Sequence, residues 1–282
     1  MAFGDDEHSH HAGLAHDLRV LSRRRLMGMI ARGAAGLSLI PMITACTGDS
    51  SGTVDAGDGT DAAGSDATTT GTGTCSKIPE ETAGPYPGDG TNGPNALTIS
   101  GIQRSDIRTS FGTASGTAAG VTLTVTLTIV DSSTCEPLAG RAVYLWHCDR
   151  DGNYSMYSQG VTDQNYLRGV QVSDAAGQVT FTSIFPGCYS GRWPHIHFEI
   201  YASAAAATSG ANKLATSQLA LPKATCDTVY ATTGYSTSVT NLARTSLSSD
   251  MVFSDGSTLQ VPTMTGSVAA GYAAALTVAI AG

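Results

Sequence analysis

Polar and apolar residues alternate without a break over Val121-Thr-Leu-Thr-Val-Thr-Leu-Thr-Ile-Val130. Period two places every second side chain on one side of an extended backbone, so this stretch predicts a strand with an apolar face and a threonine face. Runs rich in β-branched, aromatic and small apolar residues predict further strands at 142–146, 178–185, 195–201, 214–221, 257–261 and 273–280. Gly, Pro, Asn and Asp gather between them, as at 149–153 and at Pro186-Gly187. No stretch carries a convincing 3.6-residue apolar period with caps, and no internal repeat is visible. Many short strands without helices predict an all-β fold, an antiparallel β-sandwich.

The pattern changes before residue 75. Residues 47–74 are almost entirely Gly, Ser, Thr, Ala and Asp, with no aromatic and no basic residue. Such a segment buries too little apolar surface to offset its ordering entropy, and it reads as a disordered linker with a reach on the order of 30 Å. Upstream, Ser22-Arg23-Arg24-Arg25-Leu26-Met27-Gly28 has a twin-arginine pattern, followed by a modestly apolar stretch broken by Arg32. Residues 1–46 therefore read as a twin-arginine export signal. It ends in Ile43-Thr44-Ala45-Cys46, which resembles the lipobox of bacterial lipoproteins. That implies a lipid on Cys46 and a cell-envelope or extracellular location; the alternative is ordinary cleavage nearby with Cys46 incidental. His8, His10 and His11 precede the signal and would be removed with it. The folded domain is expected over 75–282.

Charge narrows the partners. The chain has a formal net charge of −8. Five basic and four acidic residues fall in the first 45, leaving ten basic and nineteen acidic in the rest, a net −9. A body that acidic, without a basic cluster, argues against nucleic acid. No apolar run after residue 46 has the length of a membrane helix. A membrane contact is expected only through the lipid. Five cysteines follow Cys46, and an exported chain can oxidise them. The odd count leaves at least one unpaired within the monomer, and Cys148 as a buried thiol stays open. Cys135 and Cys148 flank one predicted strand, too far apart to bridge, so Cys188 with Cys226 is the favoured pair.

Only His147, His195 and His197 occur beyond the signal. In His195-Ile196-His197, the strand period turns both imidazoles to one face and Ile196 to the other. Tyr189 precedes His195 by six residues and Arg192 by three, while Tyr154 sits in a turn after an upstream strand. Two imidazoles with two phenols suit ferric iron, a hard cation that favours oxygen donors, and two phenolates offset most of its charge. A cupin centre would need a third His downstream, and none follows His197. A closed zinc site would need His147 with Cys148 or Cys188.

Gly152-Asn-Tyr154 and Phe185-Pro-Gly-Cys-Tyr189-Ser-Gly-Arg192-Trp-Pro-His195-Ile-His197-Phe resemble the signature of the intradiol ring-cleavage dioxygenases, closest to the exported, protocatechuate 3,4-dioxygenase-like branch. The resemblance runs from about Glu81-Thr-Ala-Gly-Pro-Tyr86 to about Tyr235. It implies a β-sandwich with non-haem Fe(III) that uses O2 to cleave catechols between their hydroxyls, giving cis,cis-muconate type diacids. Carried over, Tyr154, Tyr189, His195 and His197 would be ligands, with Tyr189 released on substrate binding. Arg192 would stand beside the substrate, and Gln218 would face the pocket. Tyr157 remains a rival for the first ligand, and Arg192 could instead form a surface ion pair. Tyr144 and Tyr166 are expected to pack, and His147 to hydrogen-bond. The competing functions are a lipid-anchored surface sandwich that binds without catalysis, and a zinc hydrolase.

Overall fold

The computed structural model describes residues 75–282. The expected export signal, Cys46 and the expected linker at 47–74 lie outside the described residues. Eight strands run in chain order: β1 Thr122–Asp131, β2 Ala142–Trp146, β3 Arg168–Val172, β4 Gln178–Ile184, β5 His195–Tyr201, β6 Ala215–Ala220, β7 Thr263–Ser267 and β8 Gly271–Ile280. Two four-stranded sheets result, ordered β4-β1-β8-β7 and β3-β2-β5-β6.

The period-two reading of β1 holds. Leu123, Val125, Leu127 and Ile129 are fully buried and meet Val143, Leu145, Ile196, Phe198 and Ile200 of the other sheet. The intervening threonines face outward, and Thr126 and Thr180 share a hydroxyl hydrogen bond across the β1–β4 pair. Removing the apolar face from water drives the stacking of the two sheets.

The expectation of an antiparallel sandwich needs one correction, because β1 and β8 pair in parallel from Leu123↔Tyr272 to Asp131↔Ile280. A parallel neighbour needs a long return path, which the 139 residues between these strands supply, about ten times the minimum for such a crossover. The predicted strand at 257–261 is a turn, closed by Gln260 N–H donating to the Ser257 carbonyl, and the real strand follows Pro262. β3 was not predicted, since Arg168 at its start hides an otherwise short apolar run. Two short helices were also not foreseen, α1 Lys223–Tyr230 and α2 Ser236–Leu242. In α1 only Cys226, Val229 and Tyr230 are buried, too few positions to display a helical period.

The favoured Cys188–Cys226 pair is overturned, while the rejection of a Cys135–Cys148 bond stands. Cys75 is bonded to Cys135, and Cys148, Cys188 and Cys226 are buried free thiols. The segment that opens the domain runs back along the end of the first sheet, with Cys75 N–H donating to the Ser132 carbonyl and Ile78 N–H to the Ala279 carbonyl. That path brings Cys75 to Cys135, a neighbour invisible at a separation of 60 residues. Cys188 instead donates toward the Arg192 carbonyl and Cys226 toward the Leu221 carbonyl.

The second sheet is covered on both sides. Its inner face joins the core through Ile196, Phe198 and Ile200. Its outer face carries Tyr144, Trp146, Tyr201 and the two strand histidines. Arg168 pins loops over that outer face. It is buried and donates to the Tyr86, Pro87 and Ser155 carbonyls, the Tyr144 hydroxyl and the Ser155 hydroxyl. Five acceptors satisfy a buried guanidinium without a carboxylate.

Candidate metal centre

β5 holds His195 and His197 on the outer face of the second sheet, both buried. In the ladder His197 faces Trp146 on β2 and Gln218 on β6. The Trp146 and His197 rings stack at 4.8 Å with planes 4° apart, which fixes the imidazole orientation. Gly84, at φ +68, passes close to the ring, and a Cβ there would stand 3.3 Å from His197 Cε1.

Tyr154 arrives from the loop after β2. Asp149 Oδ1 accepts from the Asp151 and Asn153 amides and folds that loop tightly. Gly152 sits at φ +90, and a side chain there would begin 3.0 Å from Tyr189 Cβ, so the turn packs directly on the second tyrosine. Tyr189 lies on the loop between β4 and β5. Helix α2 fixes that loop: Ser238 Oγ accepts from the Cys188 amide and Asn241 Nδ2 donates to the Cys188 carbonyl.

These pieces converge on one atom. His195 Nδ1 stands 2.5 Å from the Trp193 carbonyl, which only accepts, so Nδ1 carries the proton and Nε2 of the neutral ring is a bare lone pair. Around that Nε2 lie His197 Nε2 at 3.1 Å, the Tyr189 hydroxyl at 3.2 Å, and the Tyr154 hydroxyl and Arg192 Nη1 both at 3.4 Å. Burial, with the Arg192 charge second, pushes His195 well below the usual imidazole range. Burial and then His195 do the same to His197. Burial, with Tyr189 second, pushes the Tyr154 phenol well above its usual range.

A cation fits this arrangement. Donors sharing one ion at about 2.1 Å stand about 3.0–3.4 Å from each other, and the other three donors lie 3.1, 3.2 and 3.4 Å from His195 Nε2. With His197 protonated on Nδ1, two ring lone pairs face each other across 3.1 Å, an arrangement that a shared cation relieves; with the proton on Nε2 the pair is an ordinary N–H···N hydrogen bond. Two phenols supply the negative charge that ferric iron requires.

The other candidates fall elsewhere. The Tyr157 hydroxyl accepts from the Gly88 amide and donates to the Asn92 carbonyl. Tyr144 donates to the Pro87 carbonyl and Tyr166 to Asp149. His147 uses one ring nitrogen on the Cys148 carbonyl and the other on Ser183 Oγ. It has no lone pair to spare for the zinc arrangement, and burial lowers its pKa to about 4. Among the described residues, no three His, Cys, Asp or Glu side chains gather to hold a metal. Glu199, next but one to His197, accepts from the Tyr201 hydroxyl, and burial raises its pKa to about 7.

Arg192 is no surface residue. Its Nε donates to Asp250 Oδ2 at 3.0 Å and its Nη2 to Gln218 Oε1 at 2.6 Å, all three side chains being buried. Burial alone would lower its pKa, but Tyr189 and Asp250 outweigh it and raise it. Gln218 Nε2 donates to the Thr82 carbonyl, so this side chain braces Arg192 and the Thr82 loop. Trp146, Tyr86 and Asp250 belong to the site and were missed from sequence. Asp250 had no local signal, being one Asp in a serine-rich stretch.

The family model described as "Dioxygenase" (Dioxygenase_C) matches residues 92–233. The chain belongs to the intradiol ring-cleavage dioxygenases. An intradiol ring-cleavage dioxygenase from Tetranychus urticae has the same fold, with a TM-score of 0.58 and 28% identity over 73% of this chain and 95% of that one. A chlorocatechol 1,2-dioxygenase from Rhodococcus opacus is 34% identical over 23% of this chain. The chain spans about a third of the length of that curated relative, 33%. This intradiol family member places all four residues of the Tyr-Tyr-His-His reading in one cluster.

Proposed function

We propose that this protein is a non-haem Fe(III) dioxygenase that opens catechol-type rings between the two hydroxyls with O2, giving cis,cis-muconate type diacids. One observation carries the reading: two phenols, a second imidazole and a guanidinium all lie within 3.4 Å of His195 Nε2. Tyr154, Tyr189, His195 and His197 would hold the ion. Bound there, Fe(III) would lower the proton affinity of the phenols and the catechol hydroxyls and draw electron density from the ring, opening it to O2.

The protein's own groups divide the remaining work. Tyr154 is buried, whereas Tyr189 is half-buried on a loop. Tyr189 Oη is thus the base placed to take a catechol proton and turn outward, and Tyr154 Oη stays in place. Arg192 has Nε and Nη2 tied, so Nη1 is aimed at the position where negative charge grows on the substrate. The Tyr86 ring, 5.1 Å from that of Tyr154, and the Trp146 ring wall the centre against water.

Purified protein supplied with iron is expected to be reddish from phenolate-to-iron charge transfer, to bind one iron per chain, and to consume O2 with catechol. A colourless, iron-free protein that binds aromatics without O2 uptake would favour the binding module instead.

We propose further that the chain is exported and carries out this chemistry at the cell surface. The Arg23-Arg24 pattern and Cys46 motivate it, and the Cys75–Cys135 disulfide suits an oxidising compartment. Cys46→Ser is expected to move the protein from the membrane fraction to the soluble exported fraction, and Lys at both Arg23 and Arg24 to block export. Unchanged fractionation in either variant would remove that half of the proposal.

A further inference from the structure

We propose that Asp250 is a positioning residue for ring cleavage, one that sets the direction of the Arg192 guanidinium. It lies beyond residue 233, where the family match ends, so part of the catalytic machinery sits in the chain's own C-terminal segment. The inference rests on the proposed function and adds a residue to it.

The geometry is specific. Asp250 is fully buried, and each carboxylate oxygen has its own task. Oδ1 accepts from the Val252 and Phe253 amides at 2.8 and 3.2 Å, which anchors the carboxylate to its own turn. Oδ2 accepts from Arg192 Nε at 3.0 Å and from the Trp193 amide at 2.6 Å. The same oxygen therefore grips the backbone and the side chain of adjacent residues three and two positions before His195. With Nε on Asp250 and Nη2 on Gln218, rotation of the guanidinium is blocked and only Nη1 can face the metal cluster. The negative carboxylate also offsets the guanidinium charge beside two neutral imidazoles, which lets a cation and a cationic side chain share one buried site.

Aim matters because a donor displaced by about 1 Å can lose about a hundredfold in rate. A group that orients another at a metal site is worth about 10–100-fold. Asn in place of Asp250 keeps the size but has only one acceptor atom. It can serve the turn amides or Arg192, and one of these contacts is lost.

The test is steady-state O2 uptake with catechol by iron-loaded full-length protein, with iron content and 4-nitrocatechol affinity measured alongside. Asp250→Asn is expected to lower kcat about 10–100-fold while iron content stays near one per chain. Arg192→Met sets the reference for complete loss of the guanidinium. In that background, adding Asp250→Asn should change kcat/KM less than about twofold, since a residue that acts through Arg192 has nothing left to position. A purely structural Asp250 would reduce activity by the same factor in both backgrounds, and that result overturns the proposal. So does a kcat within about threefold of wild type in Asp250→Asn. If Asp250→Asn does not fold, Arg192→Lys decides. One ammonium cannot satisfy Asp250, Gln218 and the site together, so it should lose as much as Arg192→Met. Near-wild-type activity in Arg192→Lys shows that direction is not needed. Wild-type protein that neither binds 4-nitrocatechol nor consumes O2 would instead sink the proposed function itself, a result that these variants cannot mimic.

Discussion

His195→Ala is expected to leave the protein folded, colourless and without ring cleavage. Its Nε2 is the point at which the other donors meet, within 3.1–3.4 Å. Groups that only support a metal ligand cost about 10–100-fold on removal, so loss of the central ligand is expected to exceed about 100-fold in iron affinity and in turnover. No loop can replace it, because β5 is paired on both sides by β2 and β6. The stability cost applies to both histidines. His195 is buried and donates Nδ1–H to the Trp193 carbonyl, so the metal-free His195→Ala protein should lose about 2–4 kcal/mol of stability. His197 stacks on Trp146 with Gly84 close to its ring, and His197→Ala leaves a cavity there. It should lose iron as fully and in addition about 2–4 kcal/mol of stability. Metal analysis and thermal unfolding of the two variants check both halves. Iron retained in His195→Ala would refute the centre.

Tyr154→Phe and Tyr189→Phe are each expected to shift the visible band and cut turnover about 100-fold or more, while Tyr157→Phe keeps both colour and rate. Each Phe keeps the ring and removes one oxygen. The Tyr154 ring would still meet Tyr86 at 5.1 Å and Tyr189 at 5.9 Å, so the change is confined to the donor. The two phenols are not equivalent. Tyr154 is buried, so its loss removes a ligand that solvent cannot readily replace. Tyr189 is half-buried, and its variant should also abolish the spectral change that follows anaerobic addition of catechol. The Tyr157 hydroxyl bridges Gly88 and Asn92 instead. Tyr157→Phe should cost about 1 kcal/mol of stability through that loop and nothing in colour. Tyrosine variants at 154 and 189 that keep both spectrum and O2 uptake would show the ligand assignment to be wrong.

Much of this protein was legible in local pattern. The alternation at 121–130 marked a strand because side-chain direction in an extended chain depends only on parity. The same parity put His195 and His197 on one face and Ile196 in the core. The spacing from Tyr189 through Arg192 to His197 is short enough that one loop and one strand carry it, so the sequence already held three of the four proposed metal donors in order. Tyr154 was separable from Tyr157 only in three dimensions, where one hydroxyl reaches the histidines and the other caps a loop. Tertiary structure alone decided the contacts made by distant chain: the parallel β1–β8 pair, the Cys75–Cys135 bond, and the placement of Trp146 and Asp250. Each joins residues tens to more than a hundred positions apart, for which no local propensity exists. Asp250 shows the reason most plainly. A buried carboxylate is tolerated only where donors converge on it, and its four donors come from Arg192, Trp193, Val252 and Phe253. Nothing in a serine-rich stretch of sequence announces that the chain will fold back onto the arginine before β5.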